Sequence, residues 1–159
     1  MRTIDSTKVD HPFLHGLSDE HLDVLSTCAM ELELEAGEVL FRQGDPANRF
    51  YLIESGEVAL EAEAGEGQSV LIQTIGAGGV LGWSWMFPPY YSHFKARATQ
   101  PTKAIFFYAT LLREECERNH DLGYELMKRT AAVLIQRLEA EQKQLLALKK
   151  ERARDSIAR

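Results

Sequence analysis

One stretch of the chain gathers most of the side chains able to do chemistry. Between Gly78 and Thr99 lie Ser84, Ser92, His93 and Arg97, together with both tryptophans, Trp83 and Trp85. An arginine there can neutralise a phosphate through charge-assisted hydrogen bonds, and a histidine can pair with an anion once protonated. Pro88 and Pro89 exclude a regular helix or a central strand at the middle of the stretch. An aromatic turn of this kind either walls a concave ligand pocket or plugs the end of a barrel. Elsewhere the chemistry is thin. The five histidines are His11, His15, His21, His93 and His120, and only His93 falls in this region. No Ser-His-Asp or Cys-His arrangement is apparent. Cys28 and Cys116 stand far apart and outside any CxxC, so they read as small buried thiols in a reducing compartment. No metal is expected.

The elements around this stretch are mostly strands. Ser18 is a good N-cap, and Asp19 and Glu20 suit the first turn of a short helix from Ser18 to about Cys28. From Met30 to Leu34 apolar and acidic residues alternate strictly, the pattern of a half-buried strand. Short apolar runs follow at Val39–Phe41, Phe50–Ile53, Val58–Glu63, Ser69–Ile75, Phe94–Thr99 and Lys103–Tyr108. Turn formers such as Gln43-Gly44-Asp45-Pro46-Ala47 and Ala64-Gly65-Glu66-Gly67 separate them. Strands this short with turns this regular predict an antiparallel sandwich or barrel.

Helical patterning resumes near Thr110. A short helix is predicted to about Arg118, and Asp121 is a candidate cap for a long one reaching about Lys150. On it Met127, Ala131, Leu134, Leu138, Leu145 and Leu148 keep a 4-3 spacing, interrupted at Glu141. That seam predicts a homodimer, because a lone helix would leave its leucines in water.

Composition sets the outer bounds. With 159 residues and 45% apolar content the chain can bury one sizeable core. No run approaches the roughly 20 apolar residues of a membrane span. The N-terminal residues lack the apolar segment of a secretory signal, so a cytoplasmic location is expected, with no membrane partner. The net charge of −6 argues against general attraction to nucleic-acid phosphates.

The run from Gly37 to Val58 carries a more specific pattern, with Phe41, Gly44, Phe50-Tyr51 and Gly56 at characteristic spacing. It resembles the signature of the cyclic-nucleotide-binding domain family, which includes bacterial sensor domains of the catabolite activator and fumarate-nitrate regulator type. The resemblance runs from Phe13 to about Leu148. It implies a mainly β fold, an eight-stranded antiparallel jelly roll with flanking helices and a long C-terminal helix. The expected organisation is a loose segment over residues 1–12, the β-roll with its first helix over 13–109, and C-terminal helices including the dimer helix over 110–159.

In that family the ligand is held by a phosphate-binding cassette. It opens with an apolar residue, Gly and Glu, passes through a short helix, and closes on Arg, a small hydroxyl residue and Ala. The Glu holds the ribose 2′-hydroxyl and the Arg neutralises the cyclic phosphate. Here Leu81-Gly82 match the opening, but Trp83 occupies the Glu position, followed by Ser84. Counting back from Ala96-Arg97-Ala98 puts Ser92 at the Arg position and His93 at the hydroxyl position. Base contacts from the long helix would fall near Arg137 and Leu138.

These departures predict a stand-alone regulatory module that binds cyclic AMP weakly or not at all. It is not an enzyme, carries no cofactor, and takes an unidentified small molecule or protein as partner. Related regulators carry a helix-turn-helix after the long helix. Only Lys149-Lys150-Glu151-Arg152-Ala153-Arg154 follows here, so no direct nucleic-acid binding is expected. One alternative is an orthodox cyclic AMP or cyclic GMP sensor using Arg97 or backbone amides for the phosphate. Another is a structural interaction protein whose pocket Trp83 and Trp85 fill. A metal-dependent cupin enzyme is the least favoured reading. The Trp83 indole is expected to point into the barrel.

Overall fold

The computed structural model describes Arg2–Thr3 and residues 10–158. The chain divides into two compact units, Met1–Glu125 and Leu126–Arg159. The first unit holds strands β1 (Arg2–Thr3), β2 (Ala29–Leu34), β3 (Val39–Phe41), β4 (Arg49–Ser55), β5 (Glu57–Glu63), β6 (Ser69–Gly76), β7 (Val80–Leu81), β8 (Lys95–Ala98) and β9 (Thr102–Tyr108). It also holds helices α1 (Asp19–Ser26) and α2 (Ala109–Arg118), and α3 begins within it and spans His120–Ala158.

Antiparallel pairing arranges the strands as β1-β2-β9-β4-β7 in one sheet and β3-β8-β5-β6 in the other. Eight strands form the jelly roll, and β1 adds a two-residue edge against Glu31 and Met30 of β2. Strand alternation decides what goes inside. Tyr51 and Ile53 of β4 share a buried cluster with Ala104 and Phe106 of β9, Val58 and Leu60 of β5, Leu81 and Ala96. Register places Tyr51 opposite Phe106 and Leu60 opposite Ala96, so the two sheets contribute matched apolar faces. The opposite face of the first sheet is packed as well: Phe50 lies 5.2 Å from Phe13 and 6.2 Å from Phe107.

Gly56 turns β4 into β5 with φ of 95°. A Cβ there would collide with the Thr102 hydroxyl and the Pro101 carbonyl oxygen, so no other residue fits without a backbone shift. The family signature thus rests on a steric demand at this position.

Within the N-terminal segment expected to be loose, His11 is 2% exposed, while Met1 and residues 4–9 lie outside the described residues. The His11 Nε2–H donates to the Ile53 carbonyl oxygen at 3.0 Å, and Nδ1 accepts the Phe13 N–H at 3.1 Å. Burial lowers its pKa, because a second ring proton would be desolvated and would face an N–H donor. The cap of α3 is Asn119 rather than Asp121; its Oδ1 accepts the Leu122 N–H at 3.2 Å. Ser18 caps α1 as expected, accepting the His21 N–H at 3.1 Å.

In the second unit α3 continues as a single helix to Ala158. Leu138, Leu145 and Leu148 of the seam are each more than half exposed, as is Ile135 beside them. Met127 and Ala131 are exposed and Leu134 is half-buried.

Candidate functional site

The cassette region begins where β7 runs into a 3-10 turn over Trp83–Met86. Gly82 caps it in the left-handed conformation, with φ of 82°. A Cβ on Gly82 would stand 2.7 Å from the Arg49 carbonyl oxygen, so glycine allows β7 to approach β4 here. The turn closes through Trp85 N–H to Gly82 O at 3.2 Å and Phe87 N–H to Ser84 O at 3.3 Å.

The two tryptophans take different places. Trp85 is 1% exposed, with its ring 5.6 Å from Phe50. Its carbonyl oxygen accepts a hydrogen bond from Arg113 of α2 at 2.7 Å, and the same guanidinium lies 4.3 Å over the Tyr90 ring. Trp83, expected inside the barrel, is only half-buried. It stacks on His93 at 5.1 Å and meets Phe87 edge-on at 6.1 Å. The 3-10 turn explains the exchange: residues two apart on so short a turn face different ways, and Trp85 reaches the apolar layer around Phe50. Trp85 thus packs beside Phe50 on the face of the first sheet that points away from the inner cluster. His93 is exposed, and its Nδ1 lies 3.1 Å from the Ser84 hydroxyl oxygen. Thus Trp83, Ser84 and His93 form one polar-aromatic cluster, while Leu81 belongs to the core.

Arg97 does not join them. Ala96 and Ala98 on β8 are fully buried, so alternation turns Lys95 and Arg97 to the other face. There the Arg97 Nε and Nη2 both reach Glu61 Oε1 at 2.9 Å. Glu61 is 9% exposed and needs this partner, so Arg97 is committed to a structural ion pair.

Ser92 lies elsewhere again, in the wall of a cavity of about 280 Å³ lined also by Leu40, Phe41, Tyr51 and residues 45–49. Phe41 and Tyr51 belong to the core layer, so this cavity is the mouth of the β-roll. Backbone bonds hold Ser92 there: its N–H donates to Asp45 O and its O accepts from Gly44 N–H, each at 2.8 Å. Arg49, at the start of β4, is on the inner face because it alternates with Tyr51 and Ile53. Its guanidinium lies 4.3 Å over the Phe106 ring. Burial pushes the Tyr51 phenol up, and the neighbouring Arg49 charge pulls it back. The sequence reading left out Arg49 and Arg113. Period-two alternation back from Tyr51 would have found the first; nothing in the pattern of α2 marks the second.

Arg137 and Leu138 lie in the second unit. Arg137 is half-buried, and burial takes its pKa down to about 10, opposed by Glu141 one turn on. Among the described residues no group of three or more metal-ligating side chains occurs, and no helix is long and apolar enough to cross a membrane.

Two antiparallel sheets around one core, a glycine-led cassette turn after β7 and a long helix after the roll define the cyclic-nucleotide-binding β-roll. The chain belongs to the cyclic nucleotide-binding domain family, which it matches over residues 31–119. A putative cyclic nucleotide-binding protein from Geobacter metallireducens GS-15 superposes with a TM-score of 0.73 at 30% identity, over 80% of this chain and 92% of that one. The sensor domain of the transcriptional regulator DNR from Pseudomonas aeruginosa does so with a TM-score of 0.65 at 25% identity, over 81% and 87%. Acetyltransferase Pat of Mycolicibacterium smegmatis is 40% identical over 60 residues, which are 38% of this chain and 18% of that protein. The chain therefore spans less than a fifth of that relative.

Proposed function

We propose that this chain is a regulatory sensor module whose cassette has lost the chemistry that recognises a cyclic nucleotide. The observation that carries the reading is the fate of the cassette's charges. An indole stands at the position of the ribose-binding carboxylate, a serine at that of the phosphate-binding arginine, and Arg97 is held by Glu61 at 2.9 Å. An indole N–H only donates, so it cannot accept from a sugar diol. Losing a charged hydrogen bond to phosphate costs about 1.5–3 kcal/mol, and losing the ribose carboxylate adds to it. Cyclic AMP therefore binds weakly or not at all. Titration calorimetry with cyclic AMP and cyclic GMP tests this; a dissociation constant of about 1 µM or tighter for either overturns it.

The module acts as a cytoplasmic homodimer joined through α3. The exposed leucines at 138, 145 and 148 support this, since a surface seam of such residues is covered in a stable protein. Light scattering on the full chain should give twice the chain mass. Leu134→Asp with Leu138→Asp should give a monomer, and an unchanged dimer would move the interface elsewhere. The module is not itself an enzyme and does not read nucleic acid directly. Its output passes to a protein partner. The DNR sensor domain, part of a transcriptional regulator, supports a regulatory role by analogy.

A further inference from the structure

Among the described residues, β6 is the one long open edge of the two sheets. The other edge strands, β1, β7 and β3, have two, two and three residues, while β6 has eight and pairs on one side only, with β5. Such an edge presents a row of unpaired N–H and C=O groups, which proteins commonly blunt with charged side chains or proline. Here the charges lie everywhere else. Every other strand of six or more residues carries at least one: Glu31 and Glu33 on β2, Arg49 and Glu54 on β4, Glu57, Glu61 and Glu63 on β5, Lys103 on β9. Strand β6, Ser69-Val70-Leu71-Ile72-Gln73-Thr74-Ile75-Gly76, has neither a charge nor a proline. Val70 is 49% exposed and Leu71 58% exposed, one on each face of the sheet.

The register of β6 selects what fits this edge. Leu60 pairs with Gln73 and Glu61 with Leu71, so Ile72 is an extra residue, a β-bulge. Ile75 and Val70 lie opposite Val58 and Ala62 on the inner face, and Thr74 and Leu71 lie opposite Ala59 and Glu61 on the outer face. A second β6 laid antiparallel along the full strand sets position 70 against 75 and position 71 against 74. Directly opposed residues must share a face, and in a regular strand positions an odd number of places apart do not. The bulge corrects this. Val70 meets the partner's Ile75 on the inner face, and Leu71 meets the partner's Thr74 on the outer face. The strand is therefore complementary to itself across a two-fold axis. Charge permits the pairing although the chain carries −6. The nearest strand carboxylates, on β5 of each copy, stand roughly 14 Å apart, three strand spacings, against a screening length of about 8 Å in physiological salt.

We infer that β6 is an interface between two copies of this chain, paired antiparallel along residues 69–76 so that two four-stranded sheets join into one of eight strands. This goes beyond the α3 dimer proposed above, because chains already joined through α3 pair further through β6 into larger assemblies. One strand pair is smaller than the standard interface of about 1,600 Å², so the contact is weak and depends on concentration.

Light scattering on the full chain from about 1 µM to about 1 mM, with hydrogen exchange at both ends of that range, tests the interface. The mass should rise with concentration, and the β6 amides should gain protection as it does. Leu71→Lys with Thr74→Lys sets like charges against each other across the axis and should weaken this association about tenfold or more, with the mass at low concentration unchanged. An equimolar mixture of that variant with Leu71→Glu, Thr74→Glu should associate again. Leu134→Asp with Leu138→Asp disrupts the α3 seam and should leave the β6 pairing in place, so failure of the α3 dimer and failure of the β6 interface read separately. A mass constant over the range, with β6 amides exchanging equally at both ends, leaves the edge to a foreign strand and overturns the inference. So does wild-type association in a folded lysine variant, or association without added protection of β6. Should the charge variants not fold, the exchange of the wild-type β6 amides decides alone.

Discussion

The stretch from Gly37 to Val58 and the stretch from Leu81 to Ala98 both follow the family pattern, but they keep different things. The first keeps its residues and its geometry. Gly56 is required by the approach of Thr102, and Tyr51 and Val58 fill the core. The second keeps only geometry. Gly82 still admits the turn beside β4, and Ala96 and Ala98 still pack inward, while the positions that would meet a nucleotide carry Trp83, Ser92 and His93. Demands of the backbone and demands of a ligand are separate constraints, and the function proposed above has only the first being met here.

That contrast can be broken most severely at the tryptophans. Trp85→Ala removes a fully buried indole and should cost about 3–5 kcal/mol. Trp83→Ala, at a half-buried ring, should cost about 1–2 kcal/mol. Chemical denaturation of the two variants measures the difference, and equal losses would mean that both rings serve the core. The next effect is at the outer ion pair. Arg97→Ala leaves Glu61 buried without its partner and should cost about 1–2 kcal/mol, the exposure of Arg97 tempering the loss. Replacing both residues by Leu should recover much of it. A ligand role for Arg97 would instead leave stability unchanged.

The smallest effect concerns His11. Its folded pKa lies below the ordinary 6.5, so the unfolded chain takes up a proton first as pH falls. The stability it contributes is complete above pH 6.5 and is lost as pH drops toward its lowered pKa. The stability gap between wild type and His11→Gln should therefore be widest at neutral pH and shrink in acid. A gap that is constant with pH would show that the ring is not the titrating group.

Much of this architecture was legible in the sequence. Strict alternation at Met30–Leu34 marked β2, and Gly-rich turns bracketed β5 and β6, because period two and turn chemistry are local properties. Strand β7, only Val80–Leu81, was hidden because two residues carry no period. The candidate site was less legible. Ser92 and Arg49 are separated by many residues and meet only through the pairing of residues 44–47 with 90–92. The swap between Trp83 and Trp85 depends on the phase of a single 3-10 turn, which composition does not encode. Arg97 was ambiguous in sequence because its direction depends on which of its neighbours face the core.

The central claim is that the fold persists while its nucleotide chemistry does not. Cyclic AMP titrated into the wild-type chain and into the double variant Trp83→Glu with Ser92→Arg tests it most directly. The account predicts no saturable heat from the wild type at concentrations where family sensors respond, and a gain of binding in the variant that restores both charges. Binding by the wild type with a dissociation constant of about 1 µM or tighter would contradict it.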